Sequence, residues 1–335
     1  MASTGMQSLR LLSMRRRAFG LRLSSHRASG TKPPVLELHS QFVSLLHHHA
    51  PSATGKVVSK RIHGGKVHEL VFDNDSKRGA MDAAMMLQLG AIVDDLTQLP
   101  HDEQTGGLVL RGTGVSFCAG LDLDLAKAAL NSPEKGVLMS DYMTDVLNRI
   151  RDSSYVSVCV INGPAVGGGM ELITATDYRL MLDLKRCKIQ SVHARIGASP
   201  GWGGGTRLCH LLGRQTALRL LGASVALDAK QALAMGLVDG LIEAEPASLS
   251  TTTSAGGSGS SSASESAAHI GTAAALAFLE PWLSDTQSPR SVAGIKYTLA
   301  AADGQSPEEM AVREGEVFYE RWFGEDNLRA LSKGK

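Results

Sequence analysis

Ile161-Asn162-Gly163-Pro164-Ala165-Val166-Gly167-Gly168-Gly169-Met170-Glu171-Leu172 is the stretch on which the reading of the fold turns. The residues leading into it, 156–161, are a short apolar run that reads as a buried strand. Gly163-Pro164 then turns the chain, and three glycines lead into a helix from about Met170. Glycines at a helix start let a ligand approach the backbone closely. The N–H groups there lack partners, and the helix dipole favours negative charge. Upstream, Arg111-Gly112-Thr113-Gly114-Val115-Ser116-Phe117-Cys118-Ala119-Gly120-Leu121-Asp122-Leu123 has the same plan: a strand end, small residues, and Asp122 placed to cap a helix. Either loop alone reads equally well as a tight strand-to-helix turn. Together, an N–H near Leu121 and one near Gly168 would make an oxyanion hole, in which one donor is typically worth about 3–4 kcal/mol of transition-state stabilisation.

Working outward, residues 67–72 and 107–111 read as strands, and residues 81–99 and 138–151 as helices. Repeated strand–strand–helix units predict an α/β fold over a core of residues 56–246. Residues 247–270 are almost entirely Ser, Thr, Ala and Gly and read as a flexible insertion with too little apolar surface to order itself. Helical patterning resumes at Gly271, so residues 271–335 are expected to form a C-terminal helical region. Residues 31–55 mix Pro, His and Ser and read as a linker. Residues 1–30 hold Arg and Ser with interspersed Leu and no acid, the composition of a targeting presequence. Mitochondria are the expected destination, with the cytosol as the alternative if the segment is only a basic tail.

Composition narrows the function. With 43% hydrophobic and 20% charged residues, the chain fits an ordinary globular protein. No apolar run approaches the ~20 residues of a membrane span. Seven basic residues precede the first acidic one, Glu37. Setting them aside leaves 27 of the 34 Lys and Arg against 33 Asp and Glu, a net charge of −6. With only 4% aromatics as well, nucleic acid is not an expected partner. The four cysteines form no C-x-x-C pair, and His47-His48-His49 has no carboxylate or cysteine beside it, so no metal site is expected. Two motif matches fail on physics. Gly197-Ala198-Ser199-Pro200-Gly201 matches a serine-hydrolase elbow, but the residue that must supply an N–H after the serine is proline. The glycines at 203–205 are followed by Thr206-Arg207, without the Lys and Ser/Thr of a phosphate-binding loop.

The two loops, with Ser199-Pro200-Gly201-Trp202-Gly203-Gly204-Gly205-Thr206-Arg207-Leu208, resemble the enoyl-CoA hydratase/isomerase (crotonase) superfamily. The likeness runs from about Val57 to Glu243 and resumes at Gly271. Met85-Met86-Leu87-Gln88-Leu89, Phe117-Cys118, the tryptophan of Pro-Gly-Trp-Gly-Gly and Asn327-Leu328-Arg329-Ala330-Leu331 are most similar to the ethylmalonyl-CoA decarboxylase branch. The resemblance implies a crotonase-like spiral of β-β-α units, with the C-terminal helices used for trimerisation into a homotrimer or hexamer. It implies an acyl-CoA substrate and no cofactor beyond the coenzyme A moiety of that substrate. It places the oxyanion-hole N–H groups at Leu121 and Gly168. Arg78, Ala80 and Ala119 fall where the family meets the adenine end of coenzyme A, and Phe323 where it reaches a neighbouring subunit's ligand. Asp122 would fix the geometry of the hole.

One departure bears on the reaction. Hydratases of the family carry two catalytic glutamates. The first falls on Glu171; the second would fall seven residues before Pro200, where this chain has His193. Without two carboxylates, addition of water loses half its acid–base apparatus. The exchange suits a substrate that brings its own carboxylate, since two like charges ~4 Å apart repel by about 4 kcal/mol at an effective dielectric near 20. Trp202 would then wall and desolvate that carboxylate. Loss of carbon dioxide from ethylmalonyl-CoA or methylmalonyl-CoA would leave an enolate that needs one proton, from Glu171 or from His193. On the residues alone, His193 also fits a packed core histidine, and Glu171 a carboxylate paired within its helix. Hydration, isomerisation, thioester hydrolysis and a non-catalytic or RNA-associated scaffold are the competing functions.

Overall fold

The computed structural model describes residues 35–243, 259–300, 306–322 and 324–333. All described residues belong to one compact unit within Val35–Lys335. The expected presequence lies outside them.

The described chain opens with helix α1 (Val35–His49), followed by an antiparallel hairpin of β1 (Lys56–Ile62) and β2 (Val67–Asp73). Helix α2 (Ala83–Thr97) starts at Asp82, whose carboxylate accepts from the Met85 N–H at 3.0 Å and from the Gly55 N–H at 2.7 Å, tying the helix start to the entry of β1. Strand β3 (Gly107–Gly112), helices α3 (Leu123–Ala129) and α4 (Pro133–Asp152), and strand β4 (Val156–Ile161) follow. Next come a two-residue β5 (Ala165–Val166), the short helix α5 (Gly168–Ile173), β6 (Tyr178–Leu182) and β7 (Ile189–Gln190). Helix α6 (Gly204–Gly222), β8 (Ala226–Leu227), α7 (Ala229–Ala234) and β9 (Gly240–Ile242) complete the core. The six-stranded sheet has the order β1-β2-β3-β4-β6-β9, parallel after the first pair, and β5-β7-β8 form a second, small sheet. Every residue of β4 is buried, as a central parallel strand covered on both faces requires.

The C-terminal part is helical: α8 (Gly259–Leu283), α9 (Pro289–Ala300), α10 (Pro307–Arg321) and α11 (Glu325–Lys333). Ala267, Ala275, Leu279 and Leu283 bury one stripe of α8, which packs on β3 and β4. A buried polar latch fixes it there. Glu69 on β2 holds Arg111 of β3 at 2.8 Å and accepts from Thr272 Oγ1 on α8 at 2.6 Å.

Two expectations give way here. Residues 31–55 are not a simple linker, because α1 occupies Val35–His49 and buries Phe42 and Leu46 completely. The Phe42 ring meets Tyr142 of α4 at 5.3 Å between centroids, and the Tyr142 hydroxyl donates to the Met86 carbonyl of α2 at 3.3 Å. The expected flexible insertion of residues 247–270 ends early, since α8 begins at Gly259 rather than at Gly271. The earlier part of that insertion lies outside the described residues. Phe42→Ala should lower stability by about 3–5 kcal/mol through the cavity it leaves. The measurement is the urea midpoint against the parent, and an unchanged midpoint would mean that α1 contributes nothing to the core.

Candidate active site

The two glycine-bearing loops meet. The Val166 N–H donates to the Cys118 carbonyl at 2.9 Å, and the Cys118 N–H to Pro164 at 3.1 Å, so residues 118 and 165 form a parallel bridge. Gly120, at φ 90°, lies so close to the second loop that a Cβ there would sit 2.8 Å from the Gly168 nitrogen. Among the described residues, neither the Leu121 N–H nor the Gly168 N–H has an acceptor, and Gly168 is the first residue of α5. Two unpaired donors on adjoining loops can share one oxygen.

Glu171, on α5, is 1% exposed, and its carboxylate is fully enclosed by donors. Oε2 accepts from the Trp202 and Gly204 N–H groups at 2.8 and 2.9 Å, and Oε1 from the Gly201 N–H at 3.2 Å. His193 Nε2 stands 3.1 Å from Oε1. This explains the glycines in Pro-Gly-Trp-Gly-Gly-Gly. The backbone wraps so tightly that a Cβ on Gly204 would lie 2.5 Å from the Glu171 side chain. Behind the loop, buried Arg207 donates to the Trp202 and Glu171 carbonyls at 2.7 and 3.2 Å, to Thr174 Oγ1 and to Asn148 Oδ1 of α4. Burial brings its guanidinium down to about 10, with Glu171 acting in the other direction, so it is still a cation at neutral pH. No local pattern marks Arg207, because apart from Trp202 its partners lie more than thirty residues away along the chain.

His193 opens a short 3-10 turn (His193–Ile196) after β7, and its other ring nitrogen, Nδ1, lies 3.0 Å from Ser191 Oγ. Trp202 is 2% exposed, with Nε1–H donating to Met139 Sδ at 2.9 Å. Its indole presses on Gly168, where a Cβ would meet ring carbons at 2.5 to 2.8 Å. Leu121, Gly168, Glu171, His193 and Trp202 therefore converge on one place.

The expected coenzyme-binding residues border it. Met81 and Leu121 form a bridge, with the Met81 N–H donating to Gly120 at 2.7 Å and the Asp122 N–H to Met81 at 3.0 Å. That sets exposed Arg78, at φ 56°, and buried Ala80 alongside half-buried Ala119. Asp122 caps α3 through the Asp124 and Leu125 N–H groups, both at 2.9 Å, and pairs with Lys77 Nζ at 2.8 Å. Phe323 lies outside the described residues. Burial pushes the thiols of Cys118 and Cys187 up to about 12 and about 11, and raises Cys159 further, so these are not nucleophiles at neutral pH; Cys209 on α6 is half-buried. A cavity of about 440 Å³ lies elsewhere, between α8, α9 and the first residues of β4 and β6, and its buried Lys296 is already engaged by Asp177 at 2.7 Å and the Arg151 carbonyl at 2.8 Å. Among the described residues, no helix is long and apolar enough to cross a membrane, and no His, Cys, Asp and Glu cluster could hold a metal ion.

Residues 63–254 match the family model described as enoyl-CoA hydratase/isomerase. Ethylmalonyl-CoA decarboxylase of Mus musculus is 33% identical over 79% of this chain and 73% of its own length. The protein of that name from Xenopus tropicalis is 31% identical over 98% of this chain and 96% of its own. Among solved structures, an enoyl-CoA hydratase from Bacillus anthracis superposes with a TM-score of 0.67 at 19% identity, covering 83% of this chain and 95% of that one. Pseudomonas aeruginosa DspI gives 0.66 at 23% identity over 84% and 95%. At these identities the two structures speak for the fold alone.

The Asp122–Lys77 pair carries a pH dependence of known sign. Burial would raise the Asp122 carboxyl, but Lys77 and the two capping N–H groups outweigh it and hold it below the usual carboxylate range. A depressed folded value contributes stability above the ordinary carboxylate range, lost as pH falls through the folded value. Asp122→Asn, which keeps a capping oxygen, should therefore cost about 1 kcal/mol near pH 7, a modest figure because Lys77 is partly solvated. The deficit should shrink toward pH 3 or below. Urea midpoints of both proteins at neutral and acid pH check this, and a deficit independent of pH would refute it.

Proposed function

Because the chain belongs to the enoyl-CoA hydratase/isomerase family, we propose that it is a carboxy-lyase acting on a branched malonyl-type acyl-CoA, ethylmalonyl-CoA or methylmalonyl-CoA. The observation that carries this reading is the Glu171–His193 pair, 3.1 Å apart, where the hydratases of the family would carry two glutamates. The names of the relatives at 31–33% identity support it independently.

The thioester carbonyl would accept from the Leu121 and Gly168 N–H groups. With its substituents held, the bond between the α-carbon and the carboxylate breaks, and its electron pair moves into the thioester as an enolate. Carbon dioxide leaves. A water-excluded pair of fixed donors stabilises that enolate without reorganisation, and this is the main physical source of acceleration. The Trp202 indole against Gly168 supplies an apolar wall that would desolvate the departing carboxylate. Glu171 does not add a bare second charge, because three backbone N–H groups already donate to its oxygens and His193 Nε2 lies 3.1 Å from one of them. Protonation of the α-carbon gives butyryl-CoA or propionyl-CoA.

Assembly belongs to the same reading. The C-terminal helices leave apolar side chains in solvent, among them Leu299 of α9 at 61% exposure, Phe318 of α10 at 58% and Leu331 of α11 at 51%. Covering them against further copies would give the closed homotrimer or hexamer that the resemblance implies. Light scattering should report three or six chains, and an active monomer would count against it.

The chemistry is tested at position 193. Protein lacking the first 30 residues, offered a panel of acyl-CoAs, should release carbon dioxide from branched malonyl-CoA esters. His193→Glu should lower that rate by ~10²-fold, from a few kcal/mol of repulsion against the substrate carboxylate. His193→Gln should lose less in carbon dioxide release read over a single turnover, since it adds no charge before the carbon–carbon bond breaks. Undiminished decarboxylation in the Glu variant, or equal losses in both, would remove the electrostatic basis of the reading.

A further inference from the structure

We infer that Ser191 is a positioning residue that holds His193 with Nε2 toward the reaction space, and that His193 rather than Glu171 delivers the proton to the enolate carbon. This rests on the decarboxylase reading for the identity of the proton acceptor, but not for the arrangement of the three side chains.

Ser191 is 2% exposed, and among the described residues its hydroxyl has one side-chain partner, His193 Nδ1 at 3.0 Å. Its backbone is anchored to the site. It directly follows Gln190, whose carbonyl accepts from the Gly167 N–H at 2.9 Å. The serine that orients the imidazole is thus one residue from the contact that seats the Gly168 loop. On the other side of the ring, Nε2 lies beside Glu171 Oε1 and the same loop, 4.0 Å from where a Cβ on Gly167 would stand.

The donor and acceptor inventory then assigns the roles. An ionised carboxylate only accepts, and Glu171 has two N–H donors on Oε2 and one on Oε1, where His193 Nε2 also lies 3.1 Å away. A proton added to either oxygen would confront an N–H already pointing at it. Glu171 is therefore a fixed anchor and not the acid. The imidazolium form of His193 meets no such conflict, since Nε2–H faces Glu171 and Nδ1–H faces the hydroxyl. A serine oxygen accepts from Nδ1–H in the charged ring and can turn to donate to a bare Nδ1 in the neutral one. It serves both charge states without moving a heavy atom. The other cations nearby are committed: Arg195 donates to the Ser224 carbonyl at 3.2 Å, and Arg207 to the carbonyls behind Glu171.

In the step itself, the enolate electron pair forms the new C–H bond with the Nε2 proton, and the N–H pair stays on Nε2 as its lone pair. That lone pair then faces the Glu171 carboxylate, an unfavourable contact relieved when water returns a proton to Nε2. One proton from solvent is consumed for each carbon dioxide released. Burial of Ser191 excludes it as a nucleophile toward the thioester.

Ser191→Ala and Ser191→Thr in the full chain test the assignment. With ¹⁵N-histidine, the His193 signals are those lost in His193→Gln, and solid-state spectra read the protonation of each nitrogen. The parent should show a single Nε2–H tautomer when neutral. The Ala variant should show a mixture, with kcat down about tenfold or more and KM little changed. Thr should restore all of these. A parental tautomer in the Ala variant would overturn the inference, and so would acylated Ser191 in the mass spectrum of protein incubated with substrate. If the tautomer shifts in the Ala variant while no malonyl-type ester is turned over by the parent, the substrate reading fails and the positioning of His193 stands.

Discussion

A carboxylate with almost no exposure to water, Glu171, is the constraint around which the rest is arranged. A buried charge is tolerable only when its lone pairs are filled, and here the filling is done by main chain. The N–H groups of residues 201, 202 and 204 all point at it, which forces that segment into a turn only glycines at 203 and 204 can make: Gly203 has φ 76°, and Gly204 touches the Glu171 side chain. The turn carries Trp202 against Gly168 and starts α6, and α6 returns Arg207 beneath the same turn. Structure and chemistry are therefore not separable here. The contacts that make Glu171 bearable also set the wall and floor of the pocket.

The helix under this assembly is α4. Thr144 and Asn148 are four residues apart on one face: Thr144 donates to the Gly201 carbonyl at 3.4 Å and Asn148 accepts from Arg207 at 2.9 Å, while Met139 receives the Trp202 indole N–H. Since α4 is in turn covered by α1 through Tyr142 and Phe42, the pocket is supported through two layers of packing that begin at the first described helix. The central sheet holds the other half, and the Glu69–Arg111–Thr272 latch fixes α8 across it.

What could be read from the sequence follows from how local each signal is. The strand over residues 156–161 and the two glycine loops announce themselves within a dozen residues, and the sheet and the convergence of Leu121 with Gly168 follow from them. Helix α1 was hidden because Pro33-Pro34 and the triple histidine look like a connector, although Leu38, Phe42 and Leu46 are spaced as one helical stripe. The start of α8 was hidden by composition, since the serine-rich residues 259–266 offer little apolar surface and no helical stripe. Ser191 and Arg207 had no local signal. A serine two residues before a histidine is ordinary, and Arg207 matters only because residues 148, 171, 174 and 202 surround it.

The uneven burial of the four thiols has a practical consequence. Cys118, Cys159 and Cys187 are sealed and held as neutral thiols, whereas Cys209 is half-buried on α6, the helix whose first residue grips Glu171. A maleimide dye or spin label applied at neutral pH thus has one preferred address in the described core. That address is five residues from the turn enclosing Glu171, so the native chain offers a built-in place to watch the pocket fill and empty, with no engineered cysteine.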